Sequence, residues 1–274
     1  MMANNIKIYI LNWNGGHHLH NCIDSIKMNK TDNYKIIVID NNSSDSSIEN
    51  LSNDIETIKL NENFGFGVGY NKGIFQNIED NDDYIVLLNY DTIVTPDFVA
   101  SILKEVNKKG KNYIYGAKIL YHDKNNLIWY GGGALDLSNG IISHRQINTP
   151  DTLGKESSFT DFITGCCMII HKDVFKQLGG FDSRFFMYNE DVDFCLRAKA
   201  IGINCIYAPS IKLFHKVSLS LGGNYSIKKI TKKLKSTFIL YNKYYQLHKS
   251  IPLFIFCLLK STMRIKYYQN ENFK

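Results

Sequence analysis

Apolar and β-branched residues gather in four short runs in the first third of the chain: IKIYIL at 6–11, YKIIVID at 34–40, ETIKL at 56–60 and YIVLLN at 84–89. Polar, turn-forming residues flank each run. The intervening segments at 17–29, 46–52 and 68–79 mix apolar and polar positions in a manner suited to amphipathic helices. Strand, helix, strand order repeated in this way predicts an α/β fold with a mostly parallel central sheet covered by helices on both faces.

The pattern is more mixed afterwards. A helix is expected to begin after Thr95 and Pro96, and YIYGAKILY and LIWYGGGALDL read as strands with tight turns, an insertion that floors a pocket. Residues 143–158 are polar and turn-rich and are expected to form a mobile loop. FITGCCMII at 162–170 reads as a buried strand, HKDVFKQLGG as a short helix closed by glycines, and NEDVDFCLRAKAIG as a longer helix ended by Gly202. A strand near 203–207 and the segment IKLFHKV complete the globular part, and the chain has no internal repeat.

All four early strands run into polar loops: NWNGG, DNNSSDSS, NENFGFGVGYN and NYDT. In a parallel sheet these loops share one edge, the edge at which such sheets bind ligands. A second concentration of polar groups opens the late helix, where YNEDVDFCLR places Glu190, Asp191 and Asp193 within four positions. Acids are favoured at helix starts by the free N–H groups and the macrodipole. Asp193 lies four residues before Arg197, a spacing suited to a surface ion pair, whereas Asp191 leads a stripe containing Phe194, Cys195 and Ala198. A helix buried on that stripe carries the Asp191 carboxylate to the edge of the interior.

Length and composition support a substantial core: 274 residues, 44% hydrophobic, as one large domain with or without an appendage. The first apolar run is too short for a secretory leader, so a cytoplasmic location is expected. The six cysteines, Cys22, Cys166, Cys167, Cys195, Cys205 and Cys257, sit in apolar contexts without a CxxC pair and are expected to be reduced core residues. Charge divides the chain more sharply than composition does. Residues 224–274 carry eleven Lys and Arg against one acid, a local +10 in a protein of net +6, which leaves −4 on residues 1–223. The division predicts a globular domain over 1–223 and a basic helical extension over 224–274, in which Ile227, Ile230 and Leu234 recur at helical spacing between lysines. The apolar run at 251–259 is about half the length that spans a bilayer, so the extension suits an anionic membrane surface, or packing on the domain. No RNA-binding signature accompanies it, and nucleic acid is not an expected partner.

The glycine loop NFGFGVGYNKG is out of register for GxGxxG, because Tyr70 stands where the third glycine is needed. P-loop, GxSxG and HExxH motifs are absent. LLNYDT ends a buried strand with Asp91, which can hold a hard cation bridging a diphosphate or initiate an Asx turn. Asp40, at the end of the second strand, suits hydrogen bonding to a nucleotide's base or ribose, or a turn cap.

Taken in order, NWNG, VIDNNSSDSS, NFGFGVGYNKG, LLNYDT, TGCCMII, GGFDSRFFMYNEDVDFCLRAKAIG and APSIKLFH resemble the motifs of inverting family 2 glycosyltransferases, especially the rhamnosyltransferase-like branch, over roughly residues 6–222. The resemblance implies the GT-A fold. It implies a nucleotide-sugar site built by Asn12, Asn14, Asp40 and Asn42 in the first two loops, Asn63, Gly65, Gly67 and Asn71 in the glycine loop, and Asn89 and Tyr90 beside the cation. Asn89 to Asp91 occupies the position of the family's DxD motif with Asn in place of the first acid. Asp91 is then the metal and diphosphate residue, with His215 as a further ligand or diphosphate contact and Mg2+ or Mn2+ as the implied cofactor. NED resembles the family's ED motif, which makes Asp191 the general base, with Gly165, Asp182 and Glu190 around the sugar or acceptor pocket. For Asp182 the alternative is a turn cap.

The expected activity is inverting transfer of a sugar from a nucleoside diphosphate donor, dTDP-rhamnose or a UDP-hexose or UDP-N-acetylhexosamine, to a hydroxyl of a lipid-linked or polysaccharide acceptor. The expected setting is the inner face of the plasma membrane. A sugar nucleotidyltransferase and a non-enzymatic membrane-associated module are the rival readings.

Overall fold

The four apolar runs form β1 (Ile6–Asn12), β2 (Tyr34–Asp40), β3 (Glu56–Lys59) and β4 (Tyr84–Asn89), joined by parallel pairing of β1 with β2 and β4 and of β2 with β3. The computed structural model describes residues 4–124, 126–152, 156–216, 227–245, 251–252 and 254–255. Helices α1 (His17–Lys27) and α2 (Phe66–Asn77) fall where the apolar spacing predicts them. Residues 46–52 form turns and bends instead of a helix. The reason is local: the Asp45 carboxylate accepts from the Ser47 N–H and hydroxyl, and such side-chain bonds compete with helical backbone pairing.

The chain continues through β5 (Thr92–Val94), α3 (Phe98–Lys109), β6 (Tyr113–Tyr121), β7 (Ile128–Tyr130), β8 (Gly133–Asp136), β9 (Ile141–His144) and β10 (Ser158–Thr160). It ends through β11 (Cys167–His171), α4 (Lys172–Leu178), α5 (Glu190–Ala200), β12 (Asn204–His215) and α6 (Ile227–Tyr244). The main sheet runs β10-β12-β6-β11-β4-β1-β2-β3, with β5 on β12 and β7 on β6; β8 and β9 form a separate hairpin. β11 is antiparallel to both neighbours, which makes the otherwise mostly parallel sheet a mixed one.

Three expectations change here. The strand at 162–170 begins only at Cys167, because the preceding turn gives the Gly165 N–H to Asp191 and the Cys166 carbonyl to Asn89. The two expected terminal strands are one, β12, whose register on β6 shifts between Ala208 and Lys212, around Pro209, which has no N–H for a ladder. The expected mobile loop is tied down in its described residues. Its start belongs to the β8–β9 hairpin, and Asp151 accepts from Lys118 and Lys212, each at 2.7 Å.

The core consists of the inward faces of the central strands and of α1, α2, α3 and α5. Cys22, Cys166, Cys167, Cys195 and Cys205 are free and buried in it; Cys257 lies outside the described residues, as does most of the run at 251–259. The basic extension is distinct in charge but joined in packing: Leu240 and Tyr241 of α6 are buried, and Lys243 and Tyr244 reach the Asp193 carboxylate of α5. No helix among the described residues is long and apolar enough to cross a membrane.

Candidate active site

The loops after β1 and β2 are laced into one unit. The Asn12 amide nitrogen lies 3.0 Å from Asp40 Oδ1, 3.0 Å from Ser43 Oγ and 2.8 Å from Ser47 Oγ, while the Asp40 carboxylate accepts from the Ser43 N–H and hydroxyl. Asn14, in the left-handed region at φ 52°, donates its N–H to Ser43 and accepts from the Ser44 N–H. Asn12 Oδ1 is buried without a hydrogen-bond partner. It lies in a cradle that only glycine leaves open: a Cβ on Gly15 would stand 2.4 Å from that oxygen and 3.0 Å from the Tyr90 ring. Asn12, Asn14, Asp40 and Tyr90 are thus brought together as the resemblance implies.

The next residues are sorted differently. Asn42 is exposed, with φ 62°, and it is its neighbour Asn41 that is buried and clamps the glycine loop, donating to Asn63 Oδ1 and the Gly65 carbonyl and accepting from the Phe64 N–H. Both residues lie in one polar run, and nothing in the sequence separates them. Asn63 caps the turn by accepting from the Gly65 N–H. Gly65 and Gly67 face protein instead of open loop: a Cβ on Gly65 would meet the Phe186 carbonyl at 2.2 Å, and one on Gly67 would meet Phe181 at 2.8 Å. Asn71 makes a two-way pair with the Phe181 backbone, both bonds 2.8 Å, and so ties α2 to the segment before α5. These three residues pack behind the site: the Asn71 side chain is committed to the Phe181 backbone, and the Cα faces of Gly65 and Gly67 lie against Phe186 and Phe181. Gly65→Ala, at φ 78° with no room for Cβ, is expected to cost about 1–3 kcal/mol of stability, read as a lower urea midpoint.

At the far side of β4, strand pairing produces a contact that sequence distance hides. β5 lies antiparallel on β12 with His215 opposite Thr92, which sets His215 Nε2 3.1 Å from Asp91 Oδ1. Asp91 and His215 are 7% and 6% exposed, and the Asp91 carbonyl accepts from the Lys216 N–H. Trp129 packs against the His215 ring at 4.6 Å and the His144 ring at 4.5 Å. Burial lowers the His144 pKa to about 4, so this imidazole is neutral at pH 7. Trp129 and His144 belong to no motif, and nothing in their local sequence marks them as site residues. Among the described residues no group of three or more His, Cys, Asp or Glu side chains converges for a metal. One carboxylate and one imidazole nevertheless fit a hard divalent cation that takes its other oxygens from a diphosphate and water.

The third part is the start of α5. Phe194, Cys195 and Ala198 are fully buried, as their stripe requires, and the half-buried Asp191 opens that stripe. Its Oδ2 accepts from the Gly165 N–H at 2.9 Å and its Oδ1 from the Val192 N–H at 2.8 Å. Burial raises the Asp191 pKa against these two donors. Glu190 is pushed well above the ordinary carboxylate range by burial and by the Asp191 charge, and its Oε2 has no partner. The pair therefore favours an ionised Asp191 beside a protonated Glu190. The backbone at Gly165 and Cys166 ties the two carboxylates to one stretch of the sheet edge: the Cys166 carbonyl accepts from the Asn89 N–H, two residues before Asp91, and the Gly165 N–H donates to Asp191.

Asp193 is not the surface ion-pair residue its spacing suggests. It is completely buried and accepts from Arg197 at 2.9 Å, Lys243 at 2.6 Å and the Tyr244 hydroxyl at 2.9 Å. α6 supplies two of those donors and also secures the turn before α5. Tyr188 and Asn189 adopt φ 72° and 62°, the Tyr188 carbonyl accepts from the Ser236 hydroxyl, and the Asn189 amide donates to Thr237 Oγ1 at 3.2 Å. Asp182 resolves as a turn and ion-pair residue: it accepts from the Arg184 N–H and guanidinium and from Lys243, and those bonds hold its pKa far below the usual range. A sugar-orienting role for Asp182 is set aside, since its carboxylate is already engaged.

Residues 8–179, more than half of the chain, match the family described as glycosyl transferase family 2. The chain is 28% identical over 250 residues to the rhamnosyltransferase WbbL of Escherichia coli (strain K12), covering 84% of this chain and 91% of that protein. It is 23% identical over 243 residues to the N-acetylglucosaminyl-diphospho-decaprenol L-rhamnosyltransferase of Mycobacterium tuberculosis (strain ATCC 25618 / H37Rv), covering 81% and 79%. Among solved structures, that of GalNAc-T7 with UDP, GalNAc and Mn2+ aligns with a TM-score of 0.69 at 15% identity, over 87% of this chain and 48% of that one. At that identity the likeness concerns the fold, which is GT-A, and this chain spans about half the length of the solved one.

Proposed function

Because the chain belongs to glycosyl transferase family 2 and is a rhamnosyltransferase-like glycosyltransferase acting on a nucleotide sugar, we propose that it transfers a single sugar, L-rhamnose foremost, with inversion to a hydroxyl of a lipid-linked glycan. The observation that carries the mechanism is the placement of two carboxylates along one stretch of the sheet edge, Asp91 on His215 just after β4 and Asp191 at the α5 start on the Gly165 N–H, with Cys166 bonded to Asn89 between them. Family membership sets aside the nucleotidyltransferase and non-enzymatic readings.

In this reading the unit of Asn12, Asn14 and Asp40 receives the nucleoside, and the unpartnered Asn12 Oδ1 offers it an acceptor. Asp91 and His215 hold the diphosphate end, directly or through Mg2+ or Mn2+; such a cation, when bound, neutralises charge on the leaving diphosphate. Asp191, fixed by the Gly165 N–H, takes the proton of the acceptor hydroxyl as its oxygen bonds to the anomeric carbon and the bond to the nucleoside diphosphate breaks. A protonated Glu190 beside it keeps the pair at a single negative charge. Attack from the face opposite the leaving group inverts the anomeric centre, and no covalent enzyme intermediate forms. The family match ends at residue 179, so the roles of Asp191 and His215 rest on the geometry described above.

Two further parts belong to this proposal. Residues 1–223 form the catalytic part. The basic residues 224–274, with Phe238, Ile251 and Ile255 exposed, support peripheral attachment to an anionic membrane on its cytoplasmic face.

Binding of dTDP-, UDP- and GDP-sugars, measured with Mn2+, with Mg2+ and after chelation, tests the donor side. One nucleotide is expected to dominate, and chelation to weaken it in the unaltered protein but not in Asp91→Asn. Equal affinity before and after chelation would overturn the cation role, and failure of every nucleotide sugar to bind would overturn the donor reading.

A further inference from the structure

His215 has a single polar anchor. Its Nε2 lies 3.1 Å from Asp91 Oδ1, while its Nδ1 is buried without a hydrogen-bond partner. One hydrogen bond fixes one ring nitrogen and leaves the imidazole free to pivot, and the last torsion of a histidine is broad and two-fold, so a half-turn puts carbon where Nε2 stands. Packing has to hold the ring. Among the described residues, the aromatic ring against His215 is that of Trp129, with centroids 4.6 Å apart and planes at 71°.

Trp129 stands at an irregularity that aims it. In β7, Ile128 pairs with Leu120 and Tyr130 with Ile119, so Trp129 is an extra residue between two consecutive partners on β6, a bulge. Bulges re-aim a side chain that a regular ladder would place elsewhere. Its neighbours Ile128 and Tyr130 are fully buried, whereas Trp129 is half-buried. The bulge is braced on its far side by His144 of β9. His144 Nδ1 lies 3.1 Å from the Trp129 carbonyl, and because a carbonyl only accepts, that nitrogen carries the proton. The His144 ring packs edge-on against the Trp129 ring at 4.5 Å and the Tyr130 ring at 5.0 Å, and the Tyr130 hydroxyl donates to the Phe162 carbonyl at 2.7 Å. Backbone and indole are thus both held, and the held indole meets His215.

We infer that Trp129 is a positioning residue for the diphosphate end of the donor: its indole, aimed by the β7 bulge and braced by His144, holds the His215 imidazole in the orientation that keeps Nε2 on Asp91. The pair is then set in advance for a diphosphate or for a cation bridging it. The inference rests on the roles given above to Asp91 and His215, and it goes beyond them by assigning a residue that acts only through His215.

A double-mutant cycle tests this, read by equilibrium binding of dTDP and of UDP in the presence of Mn2+, so that no turnover is needed. Trp129→Leu is expected to weaken the tighter-bound nucleotide by about three- to tenfold, the loss of one aromatic pair expressed as affinity. Trp129→Phe keeps a ring against His215 and is expected to stay within about twofold of the unaltered protein. His215→Ala is expected to weaken binding by itself, and adding Trp129→Leu to it is expected to cost nothing more, because the residue through which Trp129 acts is gone. His144→Ala, which removes the brace and leaves Trp129 in place, gives a second route should Trp129→Leu fold poorly: a loss in the same direction, again absent in the His215→Ala background. A Trp129→Leu deficit that persists in full without His215 would overturn the inference, since a merely structural role predicts it. Equal losses in Trp129→Phe and Trp129→Leu would overturn it too, by assigning the indole N–H a direct contact with the nucleotide. If His215→Ala binds as tightly as the unaltered protein, the role of His215 falls and the inference with it; if the unaltered protein binds neither nucleotide, it is the donor reading itself that fails.

Discussion

Asp191→Asn lowers kcat by about 10²- to 10⁴-fold, the usual contribution of a positioned general base, while nucleotide-sugar affinity stays within about twofold of the unaltered protein. The substitution is nearly isosteric, and its single amide oxygen can still accept from the Gly165 N–H, so the start of α5 is expected to persist with the loss of the bond from the Val192 N–H. What is lost is the negative charge that receives the acceptor proton. The pH profile supplies the discriminating measurement. Burial raises the Asp191 pKa, so the rate of the unaltered enzyme falls on the acid side at a pH above the ordinary aspartate range, as the base becomes protonated. Asp191→Asn should lack that limb. Retained kcat in the variant, with its acid limb intact, would assign the base elsewhere.

The second large effect concerns stability and is confined to a contact between α5 and α6. Asp193→Ala is expected to cost about 3–5 kcal/mol, because Arg197 and Lys243 then lose the fully buried carboxylate that they share. Urea unfolding reads the loss directly. Adding Lys243→Met to that variant is expected to restore part of it, since one of the charges left without its partner is removed; Asp182 keeps Arg184 in that background. The same variant should also lose kcat. Without the anchor at its end, α6 holds the Tyr188–Asn189 turn less firmly through Ser236 and Thr237, and Asp191 follows two residues later. A stability within about 1 kcal/mol of the unaltered protein would show that α6 contributes little to the body of the fold.

The limits of the sequence reading are clearest on α5. Its stripe of Phe194, Cys195 and Ala198 was visible from spacing, and it made Asp191 the unusual acid. Spacing also presented Asp193 and Arg197 as an ordinary surface pair. That reading fails because a second helix covers the polar side of α5, and the covering residues lie about fifty positions away, in the basic segment. A buried charge network has the local signature of a solvated face. Asn41 and Asn42 show the same limit at single-residue scale: a backbone turn at φ 62° sends one amide into solvent and leaves the other to clamp the glycine loop.

Alone, the sequence determined the four parallel strands, their polar ends on one edge and the helix that carries Asp191, since each is written in the periodicity of neighbouring residues. The tertiary structure alone decided that His215 meets Asp91, that Trp129 and His144 wall the site, and that α6 locks the turn before the base. These depend on strand register and helix packing between distant segments, and a local pattern of apolar and polar positions records burial without recording the partner.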